Sequence, residues 1–274
     1  MNRALLVGIN AYPGNELRGC VNDVTDMAEF LTKSCGFQAE EVRLVTDGRA
    51  TKQAIVDRLG WLLTGASAGD RVFFHYSGHG AQFPVRNAQG DVQRIDECIC
   101  PVDFDWTEEH ALRDKEFHEL FSTVPAGVEF VWVSDSCFSG DLARAINKPH
   151  QKPKVMPMPA DVEWRMRVAE KKRVPHRSFQ HVMPGFNVAL VSGCTAKQTS
   201  ADADFAGRFN GALTYYLLQT LEAGDGLTAP LNSVVDRTRK ALAKNQYEQD
   251  PQLEGSKEIM QVPFLSLKPK AAAA

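Results

Sequence analysis

Two residues of this sequence, His79 and Cys137, have the side-chain types and the setting for nucleophilic catalysis. Each follows an apolar run and lies beside glycine, in Ser-Gly-His-Gly for the histidine and Asp-Ser-Cys-Phe-Ser-Gly for the cysteine. A cysteine nucleophile reacts as its thiolate, so it needs an imidazole close by to accept the proton. Glycine at such a turn lets backbone N–H groups point at a developing oxyanion, and we expect the amides of Gly80 and Cys137 to be those donors.

The alternative is that His79 is an ordinary loop histidine and Cys137 a buried free thiol. For either residue alone this would be the better interpretation. Both stand at predicted strand ends, however, 58 positions apart with a helical pattern between them, and this pairing favours catalysis. Ser67, in Gly-Ala-Ser-Ala-Gly at 65–69, is excluded as a nucleophile. A hydrolase elbow has a strand before it and a helix after it, whereas here the order is reversed.

The elements around these residues predict an α/β fold with helices packed on a mostly parallel sheet. Short apolar runs alternate with helical periodicity along most of the chain, as in parallel strands joined by helices. Strands are predicted at 4–10, 41–47, 71–80, 96–104, 129–140 and 186–196, and helices at 22–36, 51–66, 113–124, 211–224 and 231–245. The segment 260–267 is at most an edge strand, because Pro263 lacks a donor. Open parallel sheets carry their sites at the carboxyl ends of strands, where His79 and Cys137 lie.

The net charge of −3 conceals an uneven distribution. Residues 147–185 contain nine Lys or Arg against three Asp or Glu, a balance of +6, together with six of the 14 prolines; the remaining residues therefore carry −9. An acidic body argues against nucleic-acid binding, because phosphate recognition requires the opposite sign. No apolar run reaches the roughly 18 residues of a membrane-spanning helix, and no signal-peptide pattern is evident.

The six cysteines contain no Cys-x-x-Cys pair, which argues against a zinc site and favours a reduced, cytoplasmic protein. Cys98 and Cys100 alternate in a strand-like run and are predicted to be small buried hydrophobes.

Several segments resemble the caspase-like cysteine peptidases, and most closely the bacterial metacaspases, or orthocaspases. They cover about residues 3–220 and read ALLVGINAY, GCVNDV, HYSGHG, DECICPVDF, SDSCFSG, SGCTAKQTSADA and GALTYYL. The resemblance implies a caspase-type three-layer sandwich, with a central, mostly parallel six-stranded sheet and helices on both faces. It also implies endopeptidase activity through a Cys–His dyad with no obligatory third member.

In domain terms, the resemblance implies one peptidase domain over 1–274. A large part, 1–146, carries His79 and Cys137. A cleavable, basic and proline-rich linker, 147–185, joins it to a small part, 186–270.

The same resemblance puts two carboxylates, Asp23 and Asp135, in the pocket for the residue before the cleaved bond, with Cys20 and Ser77 as neighbouring wall residues. Two carboxylates in a partly desolvated slot attract a cation and reject an anion. We therefore expect cleavage after Arg and Lys rather than after Asp. An alternative for Asp23 is an exposed acid in the first turn of a helix, where acids are favoured.

Many metacaspases use calcium, held in part by an Asp-Asp pair after the PVDF-like strand. Here residues 112–115 read Leu-Arg-Asp-Lys, and a later aspartate position is Arg144. A hard cation needs several oxygen ligands and is repelled by adjacent cations, so we expect no cofactor, no metal ligands and no calcium requirement. The scattered acids, predicted to be solvated or capping residues, are Asp91, Asp96 and Asp141.

Residues 147–185 are either an ordinary flexible surface loop or a linker that presents its own basic residues to the acidic pocket. We expect self-processing in this segment. The candidate positions are Lys148, Lys152, Lys154, Arg165, Arg167, Lys172, Arg173 and Arg177. The span 162–174 is predicted as a short helix, which would have to unwind to enter a protease cleft.

These observations favour a cysteine endopeptidase acting on proteins or peptides with basic residues, its own linker among them, with neither nucleic acid nor a membrane as partner. One alternative is a non-catalytic caspase-like scaffold or regulator, which a lost histidine or cysteine would indicate; both are present. Another is cysteine hydrolase chemistry on a small molecule, which comparison of peptide-amide and ester turnover would distinguish.

Overall fold

The computed structural model describes residues 1–138, 151–179, 187–195 and 198–265. Within these residues the strands are, in chain order, β1 (Asn2–Gly8), β2 (Val42–Thr46), β3 (Arg71–Ser77), β4 (Gly80–Arg86), β5 (Val92–Ile99), β6 (Leu112–Arg113), β7 (Glu129–Asp135), β8 (Gln151–Pro153), β9 (His176–Arg177), β10 (Val188–Ser192), β11 (Ala201–Phe205), β12 (Arg208–Gly211) and β13 (Gln252–Gly255). The helices are α1 (Cys20–Ser34), α2 (Lys52–Leu63), α3 (Asp114–Phe121), α4 (Ala160–Lys172), α5 (Ala212–Glu222), α6 (Leu231–Lys244) and α7 (Lys257–Met260).

Six strands form the central sheet, in the order β13-β10-β7-β3-β1-β2. Neighbouring strands are parallel except for β13, which pairs antiparallel with β10. The interior strands β3, β7 and β10 are apolar runs that are almost entirely buried, as expected for parallel strands covered on both faces.

Helices cover both faces of the central sheet, so alternate side chains of a strand pack into two different apolar clusters. In β1, Leu5 and Val7 share one apolar cluster with residues of α2 and α3. Ala4 and Leu6 share the other cluster with residues of α1, α5 and α6. The predicted three-layer α/β fold with a mostly parallel six-stranded sheet is confirmed.

The register of the sheet brings three strand ends level with one another. Ser77, the last residue of β3, pairs with Asp135, the last residue of β7. The last residue of β10 pairs with the penultimate residue of β7. His79, Cys137 and Cys194 each lie two residues beyond one of these ends, so the topology delivers all three to the same edge of the sheet.

Two smaller sheets flank this edge, and the sequence did not predict them. One has the order β12-β11-β8; the other joins β4, β5 and β6, with β9 paired in parallel to β5. Both β8 and β9 belong to the predicted linker. Residues 151–179 are therefore held by strand pairing and are not an ordinary flexible loop, whereas the predicted linker boundaries at 147 and 185 lie outside the described residues.

The helix predicted at 162–174 is confirmed as α4. Its Val162, Met166 and Ala169 pack against Val92 and Ile95 at the start of the β5 region. The buried state predicted for Cys98 and Cys100 is also confirmed.

The segment 260–267, predicted to be at most an edge strand, forms no strand within its described part. At this end of the central sheet the edge strand is β13, while residues 257–260 form α7. Ser256 accepts a hydrogen bond from the amide of Ile259 and so caps the amino terminus of α7. Because a serine cap favours the start of a helix at the next residue, α7 begins at Lys257, before the apolar segment. Pro263 makes only an isolated bridge, to Pro230.

Among the described residues, no helix combines the length and the apolar character that spanning a bilayer requires.

Candidate active site

The imidazole of His79 is buried and held in one tautomer. Its Nε2 lies 2.7 Å from the carbonyl oxygen of Asn15. Because a carbonyl can only accept, Nε2 carries the proton and Nδ1 is the basic nitrogen. Tyr12 lies against the ring, with centroids 4.6 Å apart. Burial lowers the pKa of His79 to about 4, although the hydrogen bond to Asn15 raises it, so the ring is neutral at pH 7.

The thiol of Cys137 is buried at the end of β7. The amide of Ser200 donates a hydrogen bond to Sγ, and the carbonyl oxygen of Ser200 lies 3.7 Å from it. The sulfur of Cys194 lies 3.4 Å away.

The amides predicted as oxyanion donors converge on one oxygen, and that oxygen belongs to the chain itself. The carbonyl of Lys154 accepts hydrogen bonds from Cys137 N at 3.0 Å and from Gly80 N at 3.1 Å. Two backbone donors at this distance are the arrangement that stabilises a tetrahedral oxyanion.

The side chain of Lys154 fills the pocket predicted for a basic residue. Its ammonium lies 3.0 Å from Asp23 Oδ2, 3.2 Å from Asp135 Oδ1 and 2.8 Å from Ser77 Oγ. All four side chains are fully buried, so the alternative of an exposed Asp23 is wrong. Cys20 is buried as well, and burial raises the pKa of its thiol; its role as a wall residue stays a prediction.

The amino terminus of α5 holds the two carboxylates in place. The amide of Gly211 donates to Asp23 Oδ1 at 2.8 Å. The amide and the hydroxyl of Thr214 both donate to Asp135 Oδ2, at 2.9 and 2.8 Å. The hydroxyl of Ser200 donates to Asp135 Oδ1 at 2.6 Å. A helix amino terminus favours nearby anions, so this element lowers the cost of burying two acids together.

The three charges of the pocket shift one another's ionisation. Burial alone would raise the pKa of Asp135, but the Lys154 ammonium and the hydrogen bonds from Ser200 and Thr214 hold it below its ordinary value. For Asp23, burial prevails over the attraction of Lys154 and its pKa is raised. Burial favours a neutral lysine, yet the two carboxylates hold the pKa of Lys154 well above its ordinary value. The pocket is thus built for a cation.

The backbone on either side of Lys154 runs through the site as an extended strand. Before it, β8 pairs antiparallel with β11, with Pro153 opposite Ala201, and the amide of Lys154 donates to Ser200 O at 3.0 Å. After it, the amide of Met156 donates to Gly80 O at 2.8 Å. This is β-strand addition, a common mode of peptide recognition.

Side chains next to Lys154 are also received by the protein. The Lys152 ammonium donates to the carbonyl of Glu16, while Val155 is buried in a small cluster with Cys137 and Cys194. The carbonyl of the Lys154–Val155 peptide bond thus accepts from both predicted oxyanion donors, and the residue after the bond, Val155, packs beside Cys137.

The acids weighed above for calcium do not form a ligand set. Asp96 and Asp114 are fully buried, so the solvated state predicted for Asp96 is wrong. Arg94 donates to Asp96 at 2.9 Å, the guanidinium of Arg113 lies 3.8 Å from Asp96, and Arg177 lies 2.8 Å from Asp114. Guanidinium groups among the carboxylates repel a hard cation, and the described residues contain no group of three or more His, Cys, Asp or Glu side chains that could hold a metal ion. Two further positions, Asp141 and Arg144, lie outside the described residues.

The other acid weighed for calcium, Asp91, is largely exposed and lies 3.8 Å from Lys172. Ser67, the excluded nucleophile, donates through its amide and its hydroxyl to Asp70 in a turn. The exposure of Asp91 agrees with the solvated state predicted for it.

Three residues that organise the site were missed as individual positions: Ser200, Gly211 and Thr214. They lie in SGCTAKQTSADA and GALTYYL, which carried the family resemblance but had no chemical assignment. The predicted start of a helix at Gly211 could have indicated an anion site, because the unpaired backbone amides at the amino terminus of a helix bind anions.

Comparisons with known proteins agree with this geometry. The family model described as metacaspase, peptidase C14 domain, matches residues 2–145. Metacaspase-1 of Mycosarcoma maydis is 31% identical over 295 residues, covering 94% of this chain and 71% of that protein. Metacaspase-7 of Arabidopsis thaliana is 41% identical over 147 residues, covering 51% of this chain and 35% of that protein.

A solved structure is similar over nearly the whole length. The crystal structure of a Geobacter sulfurreducens protein superposes with a TM-score of 0.69 at 26% sequence identity, covering 97% of this chain and 98% of that one. Since a family model matches more than half of the sequence and a relative above 30% identity is covered over most of its length, the chain belongs to the metacaspase family of caspase-like cysteine peptidases.

Proposed function

We propose that this metacaspase is an endopeptidase that cleaves after Lys and Arg, with Cys137 as the nucleophile and His79 as its base. The observation that carries the proposal is Lys154, whose ammonium lies against Asp23 and Asp135 while its carbonyl oxygen accepts from Gly80 and Cys137. Recognition of the side chain and polarisation of the carbonyl thus occur on the same residue.

The proposed chemistry uses Cys137, His79 and the two backbone amides. His79 Nδ1 takes the thiol proton of Cys137, and the sulfur attacks the carbonyl carbon. The negative oxygen is stabilised by the two amides, the C–N bond breaks, and His79 returns the proton to the leaving amine. Water then hydrolyses the thioester through the same base. With a pKa of about 4, the ring of His79 is unprotonated throughout the neutral range, and it is a weaker base than an ordinary histidine.

The charge of the pocket supports the specificity. Without an occupant, Asp23 and Asp135 are two buried carboxylates that lack their cation, which is costly. An incoming Lys or Arg restores the ion pairs, while a substrate aspartate would add a third negative charge.

The same contacts support self-processing at Lys154–Val155. Among the other candidates, Lys148 lies outside the described residues. Arg165, Arg167 and Lys172 lie within helix α4, and Arg173 caps its carboxyl end. Lys152 donates to the carbonyl of Glu16, and Arg177 pairs with Asp114. Lys154 is extended, paired to β11 and seated in the pocket, as a protease substrate has to be.

The test is incubation of the full-length chain followed by fragment mapping. We expect cleavage between Lys154 and Val155 in the wild type and in Lys154→Arg, strong slowing at this bond in Lys154→Gln, and none in Cys137→Ala. Lys172→Gln, a basic linker residue in the exposed face of α4, is the matched control and should cleave as the wild type does. A peptide panel then compares Lys and Arg with Asp before the cleaved bond.

Two results would overturn the proposal: equal cleavage in Cys137→Ala, or preference for Asp in the panel. A chain that cleaves neither itself nor any peptide would instead be a non-catalytic scaffold.

We further propose that activity requires no calcium, supported by the guanidinium groups that neutralise Asp96 and Asp114. A reducing compartment such as the cytoplasm fits the six cysteines, all of them buried and unpaired.

A further inference from the structure

A second cysteine lies against the proposed nucleophile, and the catalytic chemistry does not use it. Cys194 Sγ lies 3.4 Å from Cys137 Sγ and 3.3 Å from the carbonyl oxygen of Gln198. Both thiols are buried, and they form a small cluster with Val155. No step proposed above requires a thiol at position 194.

The contact follows from the topology of the sheet. β7 and β10 are neighbouring parallel strands, and Ser134 pairs with Ser192. Cys137 and Cys194 come shortly after these partners, at the same edge of the sheet. Adjacent strand ends bring the two sulfurs together whatever the state of the linker, because the pairing lies within the central sheet.

The distance is short enough for a bond to form by small side-chain movements. A disulfide brings its sulfurs to about 2.0 Å, and the geometry is reached through rotation about the side-chain bonds when the two backbones are already close. The other cysteines offer a contrast, since Cys35 lies at the end of α1, away from this strand edge.

We propose that Cys137 and Cys194 form a reversible disulfide under oxidising conditions, a modification that removes the nucleophile and is undone by thiols. The effect on activity rests on the function proposed for Cys137, whereas the bond itself does not.

The step is balanced with a hydroperoxide as the oxidant. The Cys137 thiolate attacks a peroxide oxygen, which breaks the O–O bond, releases hydroxide and leaves a sulfenic acid on Cys137. The Cys194 sulfur then attacks the Cys137 sulfur; the S–O bond breaks, and the departing hydroxide takes the Cys194 proton to leave as water. With hydrogen peroxide as the hydroperoxide, the first hydroxide takes up the proton that Cys137 lost on forming its thiolate, so two thiols are oxidised, one peroxide is reduced and two waters are formed in all.

A bond to Cys194 also changes the fate of the sulfenic acid. A cysteine sulfenic acid without a partner is oxidised further to sulfinic and sulfonic acids, which dithiols do not reduce. A neighbouring thiol captures it first, so the pair preserves an enzyme that can be restored.

The experiment treats the full-length chain with hydrogen peroxide and maps its cysteines by mass spectrometry under non-reducing conditions. We expect a cross-linked peptide joining Cys137 to Cys194 and an intact mass lower by two hydrogens. Activity on a basic peptide should fall and return with dithiothreitol. In Cys194→Ala the same treatment should give over-oxidised Cys137 and a loss that dithiothreitol does not reverse. Cys35→Ala is the matched control and should behave as the wild type does.

Absence of the cross-link in peroxide-treated wild type would overturn the proposal, whether Cys137 is over-oxidised, bonded elsewhere or unreacted. Cys194→Ser provides a second variant if the alanine variant does not fold. If the protein were inactive on all peptides, the cross-link map would still test whether Cys137 and Cys194 form a disulfide, because this measurement does not depend on turnover.

Discussion

At the scale of single residues, the basic pocket depends on one position that carries no side chain. A Cβ built on Gly211 would lie 2.1 Å from the Lys154 ammonium, 2.2 Å from Asp135 Oδ2 and 2.6 Å from Asp23 Oδ2. The φ of Gly211 is −70°, which any residue adopts. Glycine is therefore required because a side chain would not fit, and not because the backbone conformation excludes other residues.

We predict that Gly211→Ala weakens recognition of basic residues. Forcing a methyl group into a packed site costs about 1–3 kcal/mol, or roughly 5- to 150-fold in an equilibrium constant. We expect the rate of self-cleavage at Lys154 and the kcat/KM on basic peptides to fall by at least about tenfold, and by no more than the upper limit of that range. The control is Gly60→Ala in α2, where a Cβ meets nothing within 4 Å; it should leave both readouts unchanged. Full activity in Gly211→Ala would contradict this description of the pocket.

At the scale of elements, the two halves of the predicted linker segment are held by different forces. Upstream of the Lys154–Val155 bond, β8 is bound by backbone pairing to β11. Downstream, the pairing of β9 with β5 is joined by burial. Helix α4 packs on the β5 region, and Phe179 lies in the main core with its ring centroid 5.0 Å from that of Trp132. Full burial of one large apolar side chain contributes about 1.5–3 kcal/mol, so these contacts hold without the covalent bond.

Cleavage at Lys154 should therefore not separate the fragments. The large and small parts also share the central sheet through the parallel β7–β10 pair. We expect fragments 1–154 and 155–274 to co-elute on size exclusion in native buffer and to separate only in denaturant, with Cys137→Ala as the uncleaved reference. Separate elution in native buffer would show that the bond, and not packing, holds the parts together.

At the scale of the whole molecule, opposite charges meet at specific points rather than as diffuse surfaces. The linker segment supplies Lys154 to the Asp23–Asp135 pocket and Arg177 to the buried Asp114. Arg94 and Arg113 neutralise Asp96 from the body itself. Basic side chains of the protein itself thus lie beside buried carboxylates that would otherwise lack a positive charge nearby.

The whole-molecule prediction concerns metal removal. Because guanidinium groups already compensate Asp96 and Asp114, a calcium chelator should leave self-cleavage and peptide turnover unchanged, and added calcium should produce no increase. The assay runs on the full-length wild type, with Cys137→Ala as the zero-activity reference. If the chelator abolished activity and added calcium restored it, the protein would contain a calcium site that does not consist of Asp96 and Asp114.

Much of the fold and the two reactive positions could be predicted from the sequence. Alternating apolar runs and helical periodicity are local properties, and they indicated the sheet, its helices and the strand ends that carry His79 and Cys137. The family motifs added Asp23 and Asp135. The C-terminal edge strand β13, at Gln252–Gly255, was not predicted from the sequence, because its place in the sheet depends on its pairing with β10.

Only the tertiary structure decided which distant residues meet. The sequence offered eight basic candidates in the linker as equals, and among the described ones the tertiary structure puts the ammonium of Lys154 beside Asp23 and Asp135. Strand order and register brought Cys194 to Cys137 and put three arginines around Asp96 and Asp114. Local patterns are encoded by neighbours along the chain, whereas these contacts depend on how strands and helices far apart in sequence pack against one another.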